Sequence, residues 1–300
     1  MRRVHRTSGD LLADRRYAYG EASAKAGDLV SAADLFEQAL ELAPGWTDAW
    51  FALGLARRDA GQPGRARAAF ARCLALDPDD VLGAGLELAR LGVGTLAAAP
   101  PAYVAALFDA YADDFDDALA GRLGYRAPQL VAAALADRRF ARVLDLGCGT
   151  GLSGAALRPL SDYLEGVDLS DAMLARARSK EVYDALLRAS FEERLDRDDG
   201  PFDLIAAVDV FAYLGDLGST VQAAARRLAP GGLLAFTVEK SESEDWTLRP
   251  SRRFAHGEAY LRRRAADSGL VVEHLEDQAL RRDRGEDIRG LIAVFGRVGP

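Results

Sequence analysis

The chain has 300 residues, 49% of them hydrophobic and 28% charged, with a formal net charge of −8. This length and apolar content predict two domains, each able to bury a core. The acidic balance leaves no global electrostatic footprint for nucleic-acid phosphates, and no window is apolar enough to span a bilayer.

The first ten residues carry three arginines but not the apolar stretch of a secretory signal, so a cytoplasmic location is expected. Its two cysteines, Cys73 and Cys148, fall in different expected domains and read as reduced thiols. The three histidines lack ligand-like spacing, so no metal is expected.

Shifting the N-terminal sequence by thirty-four residues lays Arg16, Gly20, Ala32, Phe36, Ala39 and Pro44 on Trp50, Gly54, Ala66, Phe70, Cys73 and Pro78. That spacing resembles the tetratricopeptide repeat, a helical hairpin that cannot bury its apolar face alone. Small residues at Gly20, Ala32, Gly54 and Ala66 let paired helices approach, and Phe36 and Phe70 are expected to fill the gap between neighbouring hairpins. Gly27-Asp28 and Gly61-Gln62-Pro63 supply the turns, and the apolar segment Val81 to Leu96 is expected to cap the stack. The resemblance implies either a groove for a protein partner or a self-association element. A helical repeat domain is expected over 10–98, ended by Ala97-Ala98-Ala99-Pro100-Pro101.

From 102 to 137, Tyr103, Leu107, Phe108, Tyr111, Phe115 and Leu119 recur at threes and fours, which predicts helix. Beyond it, Val143-Leu144-Asp145-Leu146-Gly147-Cys148-Gly149-Thr150-Gly151 reads as an apolar strand entering a glycine turn. Gly166-Val167-Asp168-Leu169-Ser170 reads as a second strand ending at an acid placed to hold ribose hydroxyls. Gly149 to Gly154 also fits the G-x-G-x-x-G pattern of dinucleotide binders, but Asp145 would repel a pyrophosphate at the following helix start.

These runs resemble class I S-adenosylmethionine-dependent methyltransferases over roughly Phe140 to the C-terminus. With the repeats in front, nearly the whole chain is similar to a group of bacterial predicted methyltransferases. The resemblance implies a Rossmann-like α/β domain over 102–300, a mostly parallel seven-stranded sheet with helices on both faces, preceded by the all-α repeat domain. It makes 102–137 a lid and S-adenosylmethionine the cofactor. Gly147, Cys148, Gly149 and Gly151 would lie under its methionine half, Asp145 near its ammonium, and Asp168 and Leu169 at the ribose. Met173, Ser190 and Phe191 would meet adenine, where Ser190 stands in place of the usual acid. Tyr111 is either an aromatic face for the sulfonium or an interhelical packing residue.

Helix is expected from Leu152 to Leu160 and after Ser170, and a third strand at Ala185 to Ala189. Phe202 to Asp216 reads as a nearly apolar strand delivering polar groups at its carboxyl end, where such sheets bind ligands; Asp209, Phe211 and Tyr213 are expected to face the transfer site, with core packing the alternative for Phe211 and Tyr213. Ala229-Pro230-Gly231-Gly232 is expected to turn into the fifth strand. Arg253, His256 and Tyr260 are candidates for an acceptor pocket, with Arg253 gripping a carboxylate; alternatively His256 simply begins a helix. Gly269 closes that helix before a last strand pair, whose Arg281 to Glu286 reads as a solvated turn, although the resemblance implies that its counterparts stand close to the pocket.

Methyl transfer from a sulfonium is an in-line displacement, so alignment and water exclusion matter more than a dedicated base. Where a proton must leave, Asp209 or His256 would take it, with Tyr213 beside them; Asp209 also counts among the cofactor contacts. An Asn/Asp-Pro-Pro-aromatic stretch is absent after the fourth strand, where Asp209-Val210-Phe211-Ala212 stands. A small-molecule acceptor is therefore expected rather than a nucleobase. The other reading is a non-catalytic adaptor that binds the cofactor and acts through its repeats.

Overall fold

The computed structural model describes residues 6–112, 115–116, 124–135, 138–283 and 285–299. Of the expected lid, 113–114, 117–123 (Leu119 among them) and 136–137 lie outside the described residues, as does Arg284 of the expected hairpin turn. The chain divides into two compact units, Met1–Tyr103 and Val104–Pro300.

The first unit is helical: α1 (Leu11–Lys25), α2 (Leu29–Leu42), α3 (Thr47–Asp59), α4 (Pro63–Leu76) and the short α5 (Ala84–Arg90). Asp10 caps α1 by accepting from the N–H groups of Leu12 and Ala13, and Asp28 caps α2 from Ser31. Gly27 and Gly61 take positive φ just beyond α1 and α3, where only glycine reverses the chain without strain. The glycines at Gly20 and Gly54 answer to packing instead. A Cβ at Gly20 would stand 2.7 Å from the Phe36 ring, and one at Gly54 2.5 Å from the Phe70 ring. Phe36 thus seats on its own hairpin as well as in the cluster shared with Trp46, Ala49 and Leu53 of the next, which widens its expected role. Phe70 joins Phe51, Cys73, Leu82, Ala84 and Leu88, so the segment after α4 covers the second hairpin as a cap.

The second unit is a sheet flanked by helices. The division between units falls within α6 (Pro101–Asp109), and α7 (Ala127–Ala134) precedes β1 (Phe140–Leu146). There follow α8 (Leu152–Leu157), β2 (Ser161–Asp168), α9 (Asp171–Ser179), β3 (Ala185–Arg188), α10 (Phe191–Leu195) and β4 (Phe202–Ala207). Then come α11 (Gly218–Arg227), β5 (Leu228–Lys240), β6 (Trp246–Leu248), β7 (Phe254–His256), α12 (Glu258–Asp267), β8 (Leu270–Asp283) and β9 (Glu286–Arg297). The parallel strands run β3-β2-β1-β4-β5, and β9 lies antiparallel between β5 and β8. The short β7 pairs with the far end of β5 and with β6.

Successive residues of the central strands serve opposite faces, as the pleat requires. Leu144, Leu146, Ile205 and Phe236 pack with Val221, Ala224 and Leu261 on one side. Val143, Leu204 and Ala206 pack with Val131 and Leu157 on the other. Burial on both faces explains why β4 reads as a continuous apolar run. The expected turn at Ala229–Gly232 is instead part of β5, which starts at Leu228 and shifts register against β4 between Phe202 and Leu204.

The helix–helix contacts in the repeats give a test. Gly54→Ala is expected to lower the urea midpoint of the full chain, costing about 1–3 kcal/mol through overpacking on Phe70, although alanine is the better helix former. Gly64→Ala, whose Cβ position is open, leaves the midpoint unchanged or raises it.

Candidate active site

The carboxyl edge of the parallel strands carries a turn nearly free of side chains. Gly147, Gly149 and Gly151 all take positive φ, at 65°, 53° and 90°. A Cβ on Gly147 would meet Val210 at 2.6 Å, whereas one on Gly149 would have nothing within 4 Å. Gly147 is therefore fixed by packing as well as by φ, and Gly149 presents open backbone.

Asp168, at the end of β2, closes this turn. Its Oδ2 accepts from Gly149 N–H at 2.9 Å and its Oδ1 from Ser170 N–H at 2.9 Å. Each oxygen keeps a further lone pair for a ligand hydroxyl. Burial raises its carboxyl above the ordinary value, against these backbone hydrogen bonds. Cys148 N–H donates to Val167 O at 2.9 Å, tying the same two strand ends together. The Cys148 side chain is buried, and burial pushes its thiol well up, which disfavours the thiolate.

Asp145 is fully buried. Its Oδ2 accepts from Ser153 Oγ at 2.6 Å and Tyr183 Oη at 2.7 Å, while Oδ1 is buried with no hydrogen-bond partner. Burial raises this carboxyl to about 6, against the two hydroxyls. An orphaned buried acceptor, an open glycine and a carboxylate with spare lone pairs suit a ligand carrying an ammonium group and vicinal hydroxyls. These residues fit S-adenosylmethionine.

Other expected cofactor contacts are placed differently. Met173 is fully buried in the first turn of α9, as Asp145 is in β1. Leu169 is half-buried beside Asp168. Ser190 caps α10, accepting from Glu193 N–H at 3.1 Å while Glu193 accepts from its own N–H, so its hydroxyl lone pair already has local work. Phe191 is partly buried and packs on the apolar cluster of that face. Tyr111 is 37% exposed. The aromatic that approaches the far side of the site is Phe108, whose ring stands edge-on to Tyr213 at 5.4 Å, with Phe115 beside it at 5.9 Å.

Sequence reasoning missed two acids ahead of β1. Asp109 accepts from Ser170 Oγ at 2.5 Å, and Asp116 accepts from Thr150 Oγ1 at 2.5 Å. Lys180, also missed, donates to Thr150 O at 2.7 Å and pairs with Asp116 at 2.6 Å.

Past β4, Asp209 holds a left-handed φ of 60°, uncommon for a side-chain-bearing residue, with its N–H on Thr237 Oγ1 at 2.8 Å. Its Oδ1 accepts from both Arg253 and, at 3.2 Å, Arg281. The same two guanidiniums reach Glu239 Oε1, at 2.6 and 2.5 Å, closing a ring of alternating charge. Burial pushes the Glu239 carboxyl up, but the two arginines outweigh it and hold it below its ordinary value. Arg253 also donates to Tyr213 Oη at 3.1 Å.

Two expectations are corrected by this ring, and a third by the partners of Tyr260. Arg253 spends Nε, Nη1 and Nη2 on internal partners, so it is not a free fork for a substrate carboxylate. Arg281 is 11% exposed and part of the ring, not of a solvated turn. Tyr260 Oη bridges Leu217 N–H at 2.7 Å and Asp216 at 2.8 Å, which makes it a tie between α12 and the chain before α11.

His256 neither begins α12 nor faces solvent. It sits in β7 with 0% exposure, and its Nε2 lies 3.0 Å from Gly215 O. A carbonyl only accepts, so Nε2 carries the proton, and burial depresses the imidazole to about 4. Its folded value lies below the unfolded one, so the neutral ring's stabilisation is present above about pH 6.5 and is lost as pH falls toward 4. Stability of the wild type is expected to decline through that window in urea titrations, and His256→Gln, which keeps a donor for Gly215, to flatten the decline.

Among the described residues no group of three or more His, Cys, Asp or Glu could hold a metal, and no helix is long and apolar enough to cross a membrane. The pattern of the methyltransferase domain matches residues 119–277, and that of the tetratricopeptide repeat matches 47–80. A malonyl-[acyl-carrier protein] O-methyltransferase of Enterobacter lignolyticus is 35% identical over 48% of this chain and 59% of its own length. A ubiquinone biosynthesis O-methyltransferase of Alkalilimnicola ehrlichii is 33% identical over 36% of this chain and 45% of its own. The chain thus spans only about half the length of these curated relatives. In structure it is similar to the putative methyltransferase solved in complex with the Haloferax volcanii Trm112 activator, with a TM-score of 0.50, 23% identity, and coverage of 64% of this chain and 97% of that one. Strand order, glycine turn and sequence pattern agree: the chain belongs to the methyltransferase-domain family.

Proposed function

We propose that the chain transfers a methyl group from S-adenosylmethionine to a small-molecule acceptor by in-line displacement, with the repeat domain at 10–98 and the transferase domain at 102–300. The observation that carries this reading is Asp168 bridging Gly149 N–H and Ser170 N–H beside the open turn. Bound there, the cofactor would supply an electrophilic methyl on a good leaving group. The protein's part is then alignment and exclusion of water.

Asp168 would accept from the ribose hydroxyls, and Asp145 Oδ1 from the ammonium. Tyr213 and Asp209 lie past the end of β4, held by the ring of Arg253, Glu239 and Arg281. Asp209 is the residue that would accept a proton from an acceptor hydroxyl; His256, buried and bonded to Gly215, supports the strand that presents Arg253. Both curated relatives are named O-methyltransferases, which favours oxygen as the methylated atom. The absence of Asn/Asp-Pro-Pro after β4 favours a small acceptor. The repeats would hold a protein partner or a second copy of the chain.

The dinucleotide alternative loses ground on the fold. An antiparallel β9 stands where nucleotide-binding sheets continue parallel, and the third glycine of the fingerprint, Gly154, is occupied by the Tyr183 ring. Titration calorimetry is expected to show S-adenosylhomocysteine binding and NAD not binding. Asp168→Ala is expected to weaken S-adenosylhomocysteine by about tenfold or more, the loss of hydrogen bonds to a charged acceptor. Binding of NAD instead would overturn the assignment.

A further inference from the structure

We propose that Tyr183 is a positioning residue for the cofactor turn, seated against three glycines and holding Asp145 in the orientation that a bound ligand requires. The proposal rests on the S-adenosylmethionine reading above.

Tyr183 lies in the loop between α9 and β3, outside every motif of the sequence. A Cβ on Gly154 would stand 2.3 Å from its Cζ and Oη, one on Gly166 2.9 Å from its Cε1, and one on Gly151 3.2 Å from its Cε2. Gly151 is required by its positive φ, but Gly154 and Gly166 do not take that backbone conformation. The ring accounts for the missing side chain at Gly154, and at Gly166 it shares the space with Leu186 Cδ2 at 2.7 Å and Cys148 Sγ at 3.0 Å. Gly166 is also the lateral partner of Asp145 in the β1–β2 register, so the ring lies across the strand pair that ends in the turn.

From that seat the phenol reaches Asp145 Oδ2, the atom that Ser153 also holds. Two hydroxyl donors on one oxygen fix the carboxylate and leave Oδ1 as the buried acceptor with no partner. The titratable groups facing Asp145 are Asp168 on β2, Cys148 in the turn, Tyr125 ahead of α7 and Tyr183 itself. Burial and Asp168 favour its neutral form, while Ser153 and Tyr183 favour the charged one. Removing the phenol hydroxyl therefore moves its titration upward.

Calorimetric titration with S-adenosylhomocysteine between about pH 5 and 8 reads this directly. Wild-type affinity is expected to fall as pH drops through about 6. Tyr183→Phe keeps the ring and loses one hydrogen bond, so the midpoint should rise by about one pH unit. That is about fivefold weaker binding at pH 6 and a difference within about twofold at pH 8. Ser153→Ala, deleting the other donor, should shift it the same way, and Asp145→Asn should abolish the dependence. A Tyr183→Phe midpoint equal to the wild type overturns the proposal, as does a pH dependence that survives in Asp145→Asn. A purely structural tyrosine would lower the melting temperature without moving the midpoint. Wild-type protein that takes up no S-adenosylhomocysteine at any pH overturns the parent reading and this one with it, an outcome distinct from an unshifted midpoint.

Discussion

The site depends on one constraint: β1 must turn into α8 through Gly147, Gly149 and Gly151, all three at positive φ. Side chains are absent at Gly147, Gly149 and Gly151, so packing, which acts at Gly147 through Val210 and at the buried Cys148, does not hold the turn by itself. It is held instead by polar groups borrowed from β2 and the loop after it, through Asp168 on Gly149 and Ser170 and through Cys148 N–H on Val167 O. The same substitution of glycine for side chain admits Val210 at Gly147 and Tyr183 at Gly154 and Gly166. Each close approach fixes one more direction of the turn, which is how an open loop becomes a defined surface.

The second organising element is the ring of Asp209, Arg253, Glu239 and Arg281. Buried ion pairs contribute little net stability, because desolvation offsets attraction, but losing one partner strands the others at high cost. Their value here is geometric. The four groups come from the chain after β4, from β5, from the segment before β7 and from β8, so the ring ties these elements together in the register observed. A third guanidinium, Arg249, stands 3.5 Å from Glu239 Oε2. The left-handed backbone at Asp209 is tolerated because this ring and Thr237 hold it from both sides.

What the sequence made legible was local. The glycine turn and Asp168 could be read because their spacing is set by a strand, a turn and a strand close together in the chain. The repeats were legible because a thirty-four-residue shift superimposes Gly20 on Gly54 and Phe36 on Phe70, and within each hairpin the glycine meets its phenylalanine, Gly20 with Phe36 and Gly54 with Phe70. The partnership of Tyr17 with Phe36 at 5.3 Å and Phe51 with Phe70 at 5.5 Å obeys the same shift and could have been found by it. Tyr183, Lys180 and Glu239 carried no such signal: Lys180 and Tyr183 lie between α9 and β3, Glu239 lies in β5, and their partners are distant in the chain. His256 was misplaced because β7 has three residues, too few for a periodicity, and its burial comes from pairing with β5 and β6.

The central claim is that the turn from Gly147 to Gly151, closed by Asp168, is a nucleoside site. The most direct measurement is a crystal structure of the full chain grown with S-adenosylhomocysteine. The account predicts ribose hydroxyls within hydrogen-bond distance of Asp168 and the amino-acid portion against the backbone of Gly147 and Gly149. A ligand bound elsewhere, with Asp168 touching only Gly149 and Ser170, would contradict it.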